Sequence, residues 1–126
     1  MKVLKTEDVI TAITSLDGLC MAEKINEGSK VYITGGTALL LKEKPIPRPT
    51  TDVDVLETSK EIELLLPGTG LNTDVRTFLF QFPDGWRNRA KRLQGFDFFH
   101  FDVLLLSNED IIISKPIAWR DRKSVV

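Results

Sequence analysis

Asp52 and Asp54 stand one residue apart in "DVDVLE", with Val53 between them and Val55 after. On a strand, residues i and i+2 share a face and lie about 6 to 7 Å apart along the chain. Read that way, the segment turns both carboxylates to one side and both valines to the core. Two like charges at that spacing repel unless a cation, a proton or an arginine stands between them. A magnesium ion takes oxygen ligands and keeps several waters, which suits two carboxylates facing a cleft, and manganese can replace it. Asp102, in "HFDVLL", is a third acid set between apolar strand residues. Placed on a neighbouring strand it would join the pair, and three carboxylates are what a two-metal phosphoryl-transfer site needs. The plainer alternative has Asp52 starting its strand, Asp54 solvated, and Asp102 paired with a nearby arginine.

Upstream, "VYITGGTALLL" runs from a strand through Gly35-Gly36 into a helix that opens at Thr37. Glycine lets backbone approach a ligand closely, and the free N–H groups of a helix start favour anions. With the Thr37 hydroxyl as a further donor, this turn is a candidate cradle for triphosphate oxygens. Taken alone it is also an ordinary strand-to-helix turn. Arg48, four residues before Asp52, can neutralise triphosphate charge or hold the empty carboxylates together; as a loop arginine it would simply be solvated. Arg87, Arg89, Lys91 and Arg92 with Trp86 form the densest basic patch, a place to hold an RNA acceptor through phosphates and stacking. A solvated loop explains that patch more simply. His100 shares the strand face of Asp102, and a histidine satisfied by hydrogen bonds beside the cleft is the simpler reading for it.

The elements that must position these residues follow from periodicity. Residues 7–27 repeat apolar positions at helical spacing (Val9, Ile10, Ile13, Leu16, Leu19, Cys20), with Thr6 as a cap and Gly28 as a stop. "KVYIT" (30–34) is a strand, "TALLLKEK" (37–44) a short helix, and "PIPRPTT" (45–51) a loop on account of its prolines. A strand over 52–57 and a helix over 58–66 follow. "TFLFQF" (77–82) has strand character, 83–92 is a basic turn, and 95–106 reads as one long strand. Ser107 with Asp110 resembles a capping box opening a helix over 108–115. Interleaved helices and strands give an α/β (α+β) class: a small mixed sheet flanked by helices.

At 126 residues the chain suits one compact domain. With 42% hydrophobic and 28% charged residues it is an ordinary globular sequence rather than a disordered one. A net charge of -1 gives no global pull toward nucleic acid or an anionic membrane. Apolar runs are too short to span a bilayer, and the acids in "MKVLKTEDV" speak against an export signal, so the expected setting is cytoplasmic. The one cysteine, Cys20, cannot close an internal disulfide and is expected as a small buried hydrophobe.

Together, "ITGG", "DVD" and the later Asp102 resemble the polymerase-beta-type nucleotidyltransferase superfamily. The fuller pattern "GGTALLL…RPTTDVDVL", with "PDGWRNRA" and "FDVLLLSNEDIIISK", is similar to its minimal members, some of which act as toxins in toxin–antitoxin pairs. The likeness covers about residues 25–120. It implies a metal-dependent transfer of a nucleoside monophosphate from an NTP to a hydroxyl of an RNA (such as tRNA), a protein or a small molecule. Asp52, Asp54 and Asp102 would be the catalytic and metal-holding residues on adjacent strands, with Mg2+ or Mn2+ as cofactor. Gly35, Gly36, Thr37, Arg48 and Lys115 would contact the nucleotide, and a cognate antitoxin is an implied partner. The interval from Gly36 to Asp52 is longer than the family pattern. "SKPIAWRDRKSVV" departs from the acidic helix that relatives carry there, which is compatible with a single domain over 1–126 shortened at its C-terminus. The alternative is a catalytically inactive module that binds nucleotide or a partner.

Overall fold

The computed structural model describes residues 3–26, 28–42, 45 and 50–113. Its first element is the helix α1 (Thr6–Ala22), which brings Val9, Ile13, Leu16 and Cys20, all with no exposed surface, into a single core. Each of the larger apolar side chains so buried stabilises the fold by about 1.5 to 3 kcal/mol relative to exposure. Lys5, not Thr6, is the cap residue, and its N–H donates to Asp8 Oδ2 at 2.8 Å. The helix stops before Gly28 because Lys24 adopts φ +55° and Ile25 N–H closes back on the Cys20 carbonyl at 2.9 Å.

Strand β1 (Ser29–Thr34) is the middle of a five-stranded mixed sheet. It runs directly into the one-and-a-half-turn helix α2 (Gly35–Leu40). After the loop come β2 (Val53–Glu57), the short helix α3 (Lys60–Glu63) and β3 (Leu71–Asn72). A 3-10 helix over Asp74–Gln81 leads to α4 (Trp86–Arg89), β4 (Lys91–Arg92), β5 (Phe101–Leu105) and α5 (Asn108–Ile113). The sheet order is β3-β2-β1-β5-β4. β1 pairs antiparallel with β2 and parallel with β5; β2 with β3 is parallel and β4 with β5 antiparallel. The mixed sheet with helices is the α/β class expected.

Two expected strands come out differently. Residues 77–82 lie in the 3-10 segment and at its end, not in the sheet. The Asn72 side chain accepts from Asp74 N–H at 3.1 Å and turns the chain out of β3 after two residues, leaving Phe80 81% exposed. The long strand over 95–106 shrinks to Phe101–Leu105. Phe99 and His100 donate their N–H groups to the buried Asp17 carboxylate on α1, at 2.9 and 3.0 Å, in place of a sheet ladder. Farther on, Ser107 Oγ accepts from Asp110 N–H at 3.1 Å and donates to its carboxylate at 2.7 Å, the reason α5 starts where expected.

Candidate functional site

β2 turns Val53 and Val55 into the core, 1% and 0% exposed, and leaves Asp54 half-buried on the other side with Asp52 exposed just before the strand. Asp54 lies on the β1–β2 rung opposite Thr34, the residue before Gly35. Gly35 has φ +72°, and a Cβ built on it would meet Asp54 Oδ2 at 2.7 Å. The glycine therefore does two things at once. It takes a left-handed turn that a side chain resists, and it clears the space that the Asp54 carboxylate occupies. The two motifs of the sequence, the glycine turn and the aspartate pair, meet at this contact.

Thr37 behaves otherwise than expected. Its hydroxyl is fully buried and donates to the Asp52 carbonyl at 2.7 Å; Thr50 donates to the same carbonyl at 3.2 Å. The two threonines clamp the backbone from which Asp52 projects, so Thr37 positions the aspartate and its hydroxyl is not aimed at a ligand. Thr50 was not legible as a site residue, though "RPTTDVD" places it two residues before Asp52. Thr34 is a further residue that the sequence did not single out. Its Oγ1 is buried on the Asp54 rung and has no hydrogen-bond partner among the described residues. A buried hydroxyl left without a partner costs about 1 to 3 kcal/mol, so its place beside the pair calls for an explanation.

Asp102 does not join the pair. β1 stands between β2 and β5, so the strands are not adjacent. Asp102 lies opposite Lys30 and Asp54 opposite Thr34, at the two ends of β1. At about 3.3 Å per residue and about 4.8 Å per strand spacing, the two Cα atoms are roughly 16 Å apart on the same face. Asp102 instead lies 3.4 Å from Arg92, which also holds Asp97 at 3.2 Å. The arginine partner offered as the plainer alternative is realised. Among the described residues, no group of three or more His, Cys, Asp or Glu side chains is arranged to hold a metal ion. Arg48 and Lys115 lie outside the described residues.

Glu57 is the carboxylate that strict alternation hides. With period 2 it would face the core alongside Val53 and Val55. A bulge shifts the register, so that Ile33 pairs with Val55 but Tyr32 with Glu57, and Leu56 is the extra residue. Glu57 thereby shares the face of Tyr32, Thr34 and Asp54. Arg87 donates to its Oε2 at 2.7 Å and stacks over Trp86 with 4.4 Å to the ring centroid. Trp86 in turn meets Tyr32 edge-on at 5.1 Å. The expected basic patch is thus largely neutralised. Arg87 is held by Glu57, Arg89 by Asp110 through contacts of 2.7 to 3.2 Å, and Arg92 by Asp97 and Asp102. Hydrogen bonds from Arg89, then from Ser107, hold the Asp110 carboxyl below the usual range against the opposing effect of burial. His100 Nδ1 lies 2.8 Å from Asp17 Oδ1, so it fastens the 97–100 segment to α1.

No helix among the described residues is long and apolar enough to cross a membrane. No curated protein and no solved structure matches the chain. A family model described as nucleotidyltransferase of unknown function (DUF6036) matches residues 12–124, which spans both glycines, the aspartate pair, Glu57 and all five strands. The chain belongs to this nucleotidyltransferase-like family.

Proposed function

We propose that the protein transfers a nucleoside monophosphate from an NTP to a hydroxyl acceptor, with Asp52 and Asp54 as the carboxylates that hold magnesium. The observation that carries the reading is the approach of the Asp54 carboxylate over the bare Cα of Gly35. It joins an acid pair to a glycine turn in a chain of a nucleotidyltransferase family. The residues present suit the ion: magnesium takes one or two carboxylates and completes its shell with waters and phosphate oxygens. The unpartnered Thr34 hydroxyl on the same rung fits a place where polar groups are kept for a ligand. When bound, magnesium supplies charge neutralisation on the triphosphate.

The chain's own residues do the positioning. Thr37 and Thr50 fix the Asp52 backbone through its carbonyl, so the Asp52 carboxylate starts from a defined place. Val53 and Val55 anchor the strand from beneath, and Gly35 brings backbone close to Asp54. Arg48 and Lys115 are proposed to meet phosphate oxygens. The acceptor is an RNA, a protein or a small molecule, and a toxin role with a cognate antitoxin is the biological setting that the family resemblance suggests. Incubation with each labelled NTP, magnesium and total tRNA, read by pyrophosphate release and label transfer, tests the reading. Activity lost in Asp54→Asn supports it; no turnover with any NTP, or equal turnover in Asp54→Asn, overturns it.

One observation favours a second reading. Asp102 lies far from the pair, and no third acid stands beside Asp52 and Asp54 among the described residues. A module that binds nucleotide without turnover needs only the pair and the glycine turn. Calorimetry with manganese and a non-hydrolysable NTP separates the two. Tight metal-dependent binding with no transfer to any acceptor selects the binding module.

A further inference from the structure

A cavity of about 660 Å3 lies away from the aspartate pair. Its lining includes Lys42, Lys91 and Arg92 over an apolar floor of Leu41, Leu105 and Phe96, and no aspartate or glutamate among the described lining residues. Register places its strand lining on one side of the sheet, apart from Arg92, which lies opposite Leu104 on the edge strand and reaches in from the other face. Lys91 is opposite Leu105, and Leu105 opposite Ile33, so these side chains share the Ile33 face. Asp54, opposite Thr34, belongs to the other face. The cavity is therefore a separate place from the proposed nucleotidyl-transfer site.

Its cations are unusual in how they are held. Lys42 Nζ donates to the Leu106 carbonyl at the end of β5, which anchors the ammonium at the cavity edge. Burial, then the nearby charge of Lys91, push the Lys42 pKa down. Two ammonium groups that raise each other's energy are relieved by an anion between them. A cavity of a few hundred Å3 with an apolar floor and a few convergent polar groups has the form of a small-molecule site. Arg92 is occupied by Asp97 and Asp102, which leaves the lysines as the anion contacts.

We propose that this cavity binds a small organic anion, its phosphate or carboxylate between Lys42 and Lys91 and its ring or hydrocarbon body on Phe96, Leu41 and Leu105. The site is distinct from, and does not depend on, the nucleotidyl-transfer reading.

The test is residue-resolved NMR titration in metal-free buffer with phenyl phosphate, inorganic phosphate and phenol. The expected result is saturable shifts of the Lys42, Lys91 and Phe96 amides. Phenyl phosphate should bind at least tenfold tighter than either fragment. Lys91 is exposed on a two-residue edge strand, so Lys91→Glu should fold and weaken phenyl phosphate binding at least tenfold. Lys60→Glu, the same charge change on α3, should leave it unaltered. Phe96→Ala should reduce the advantage over inorganic phosphate while sparing phosphate itself. The proposal is overturned by equal affinity for phenyl phosphate and phosphate, by shifts confined to the Gly35–Asp54 region, by absence of saturable shifts, or by equal weakening in Lys91→Glu and Lys60→Glu.

Discussion

Gly35→Ala is the substitution on which the site geometry makes its sharpest statement. Two costs add. At φ +72° an alanine enters the left-handed region, which costs a non-glycine residue about 1 to 2 kcal/mol. The new Cβ would also stand 2.7 Å from Asp54 Oδ2. That is roughly 0.8 Å inside the usual optimum of about 3.5 Å, so the carboxylate must retreat or the turn must shift. The obstructing atom is the end of a flexible side chain that can give way, so this overpacking falls in the lower part of the usual range, about 1 to 2 kcal/mol. The sum is about 2 to 4 kcal/mol, which a domain with about 5 to 15 kcal/mol of stability survives. At about 4 °C per kcal/mol, the melting temperature should fall by about 8 to 16 °C. The two costs separate in a double-mutant cycle with Asp54→Ala, measured by urea denaturation with tryptophan fluorescence. With the carboxylate gone, Gly35→Ala should cost only the backbone part, and the coupling should reach about 1 kcal/mol or more. A cost under about 0.5 kcal/mol, or the same cost in both backgrounds, would refute the close approach of Asp54 to the turn.

Four further outcomes are expected. Thr37→Val keeps the shape and removes the hydroxyl on the Asp52 carbonyl, so it should cost about 1 kcal/mol and weaken manganese binding in calorimetry, although no metal contact is lost. Thr34→Val removes a buried hydroxyl without a partner, so the melting temperature should hold or rise while NTP binding falls, whereas a clear loss of stability would reveal a structural role. Asp102→Asn touches only an exposed arginine contact, so stability should change by less than about 1 kcal/mol and any transfer activity should persist; loss of activity would restore Asp102 to the site. Asp110 carries its carboxyl below the unfolded value of 3.8, chiefly through Arg89, so its stabilisation is present above that pH and is lost as pH falls through the lower folded value. The melting temperature of Asp110→Asn should therefore lie below wild type at pH 7, with the gap closing in acid below pH 3.8.

What was legible in the sequence, and what was not, divides along the range of the interaction that decides each element. β1, β2 and the helix after each were readable because their signals are local: β-branched runs, a glycine pair, a serine cap. Ser59 accepting from Ile62 N–H at 3.3 Å and Ser107 from Asp110 N–H at 3.1 Å are such signals. The 95–106 strand failed because its first half is claimed by Asp17, more than eighty residues away, whose carboxylate takes the amides that a ladder would have used. No local pattern announces that a helix aspartate will be buried there. The site divides the same way. The face of Asp54 followed from period 2 alone, since it lies before the bulge. Glu57 was hidden because one extra residue at Leu56 reverses the parity of everything after it.

Asp102 is the instructive case, because its face was right and its strand order was not. Alternation correctly turned it away from the core, where Phe101 and Val103 are 2% exposed. Sheet order, however, is a topological fact that alternation does not contain. A parallel β1–β5 pairing places the start of β5 beside the start of β1, while an antiparallel β1–β2 pairing places the start of β2 beside the end of β1. Acids near the starts of β2 and β5 must then lie at opposite ends of the central strand. The positions directly beside Asp54 on this sheet are Thr34 on β1 and Asn72 on β3, neither of them an acid. From β5 a carboxylate could approach only at the end of the strand or beyond it, where Ser107 and Asp110 turn the chain into α5. Asp110 is already committed there to Arg89 and Ser107. Asp54 over Gly35, and the two threonines on the Asp52 carbonyl, are thus what this topology brings together of the candidate site, and the proposed chemistry is to be sought first at their rim.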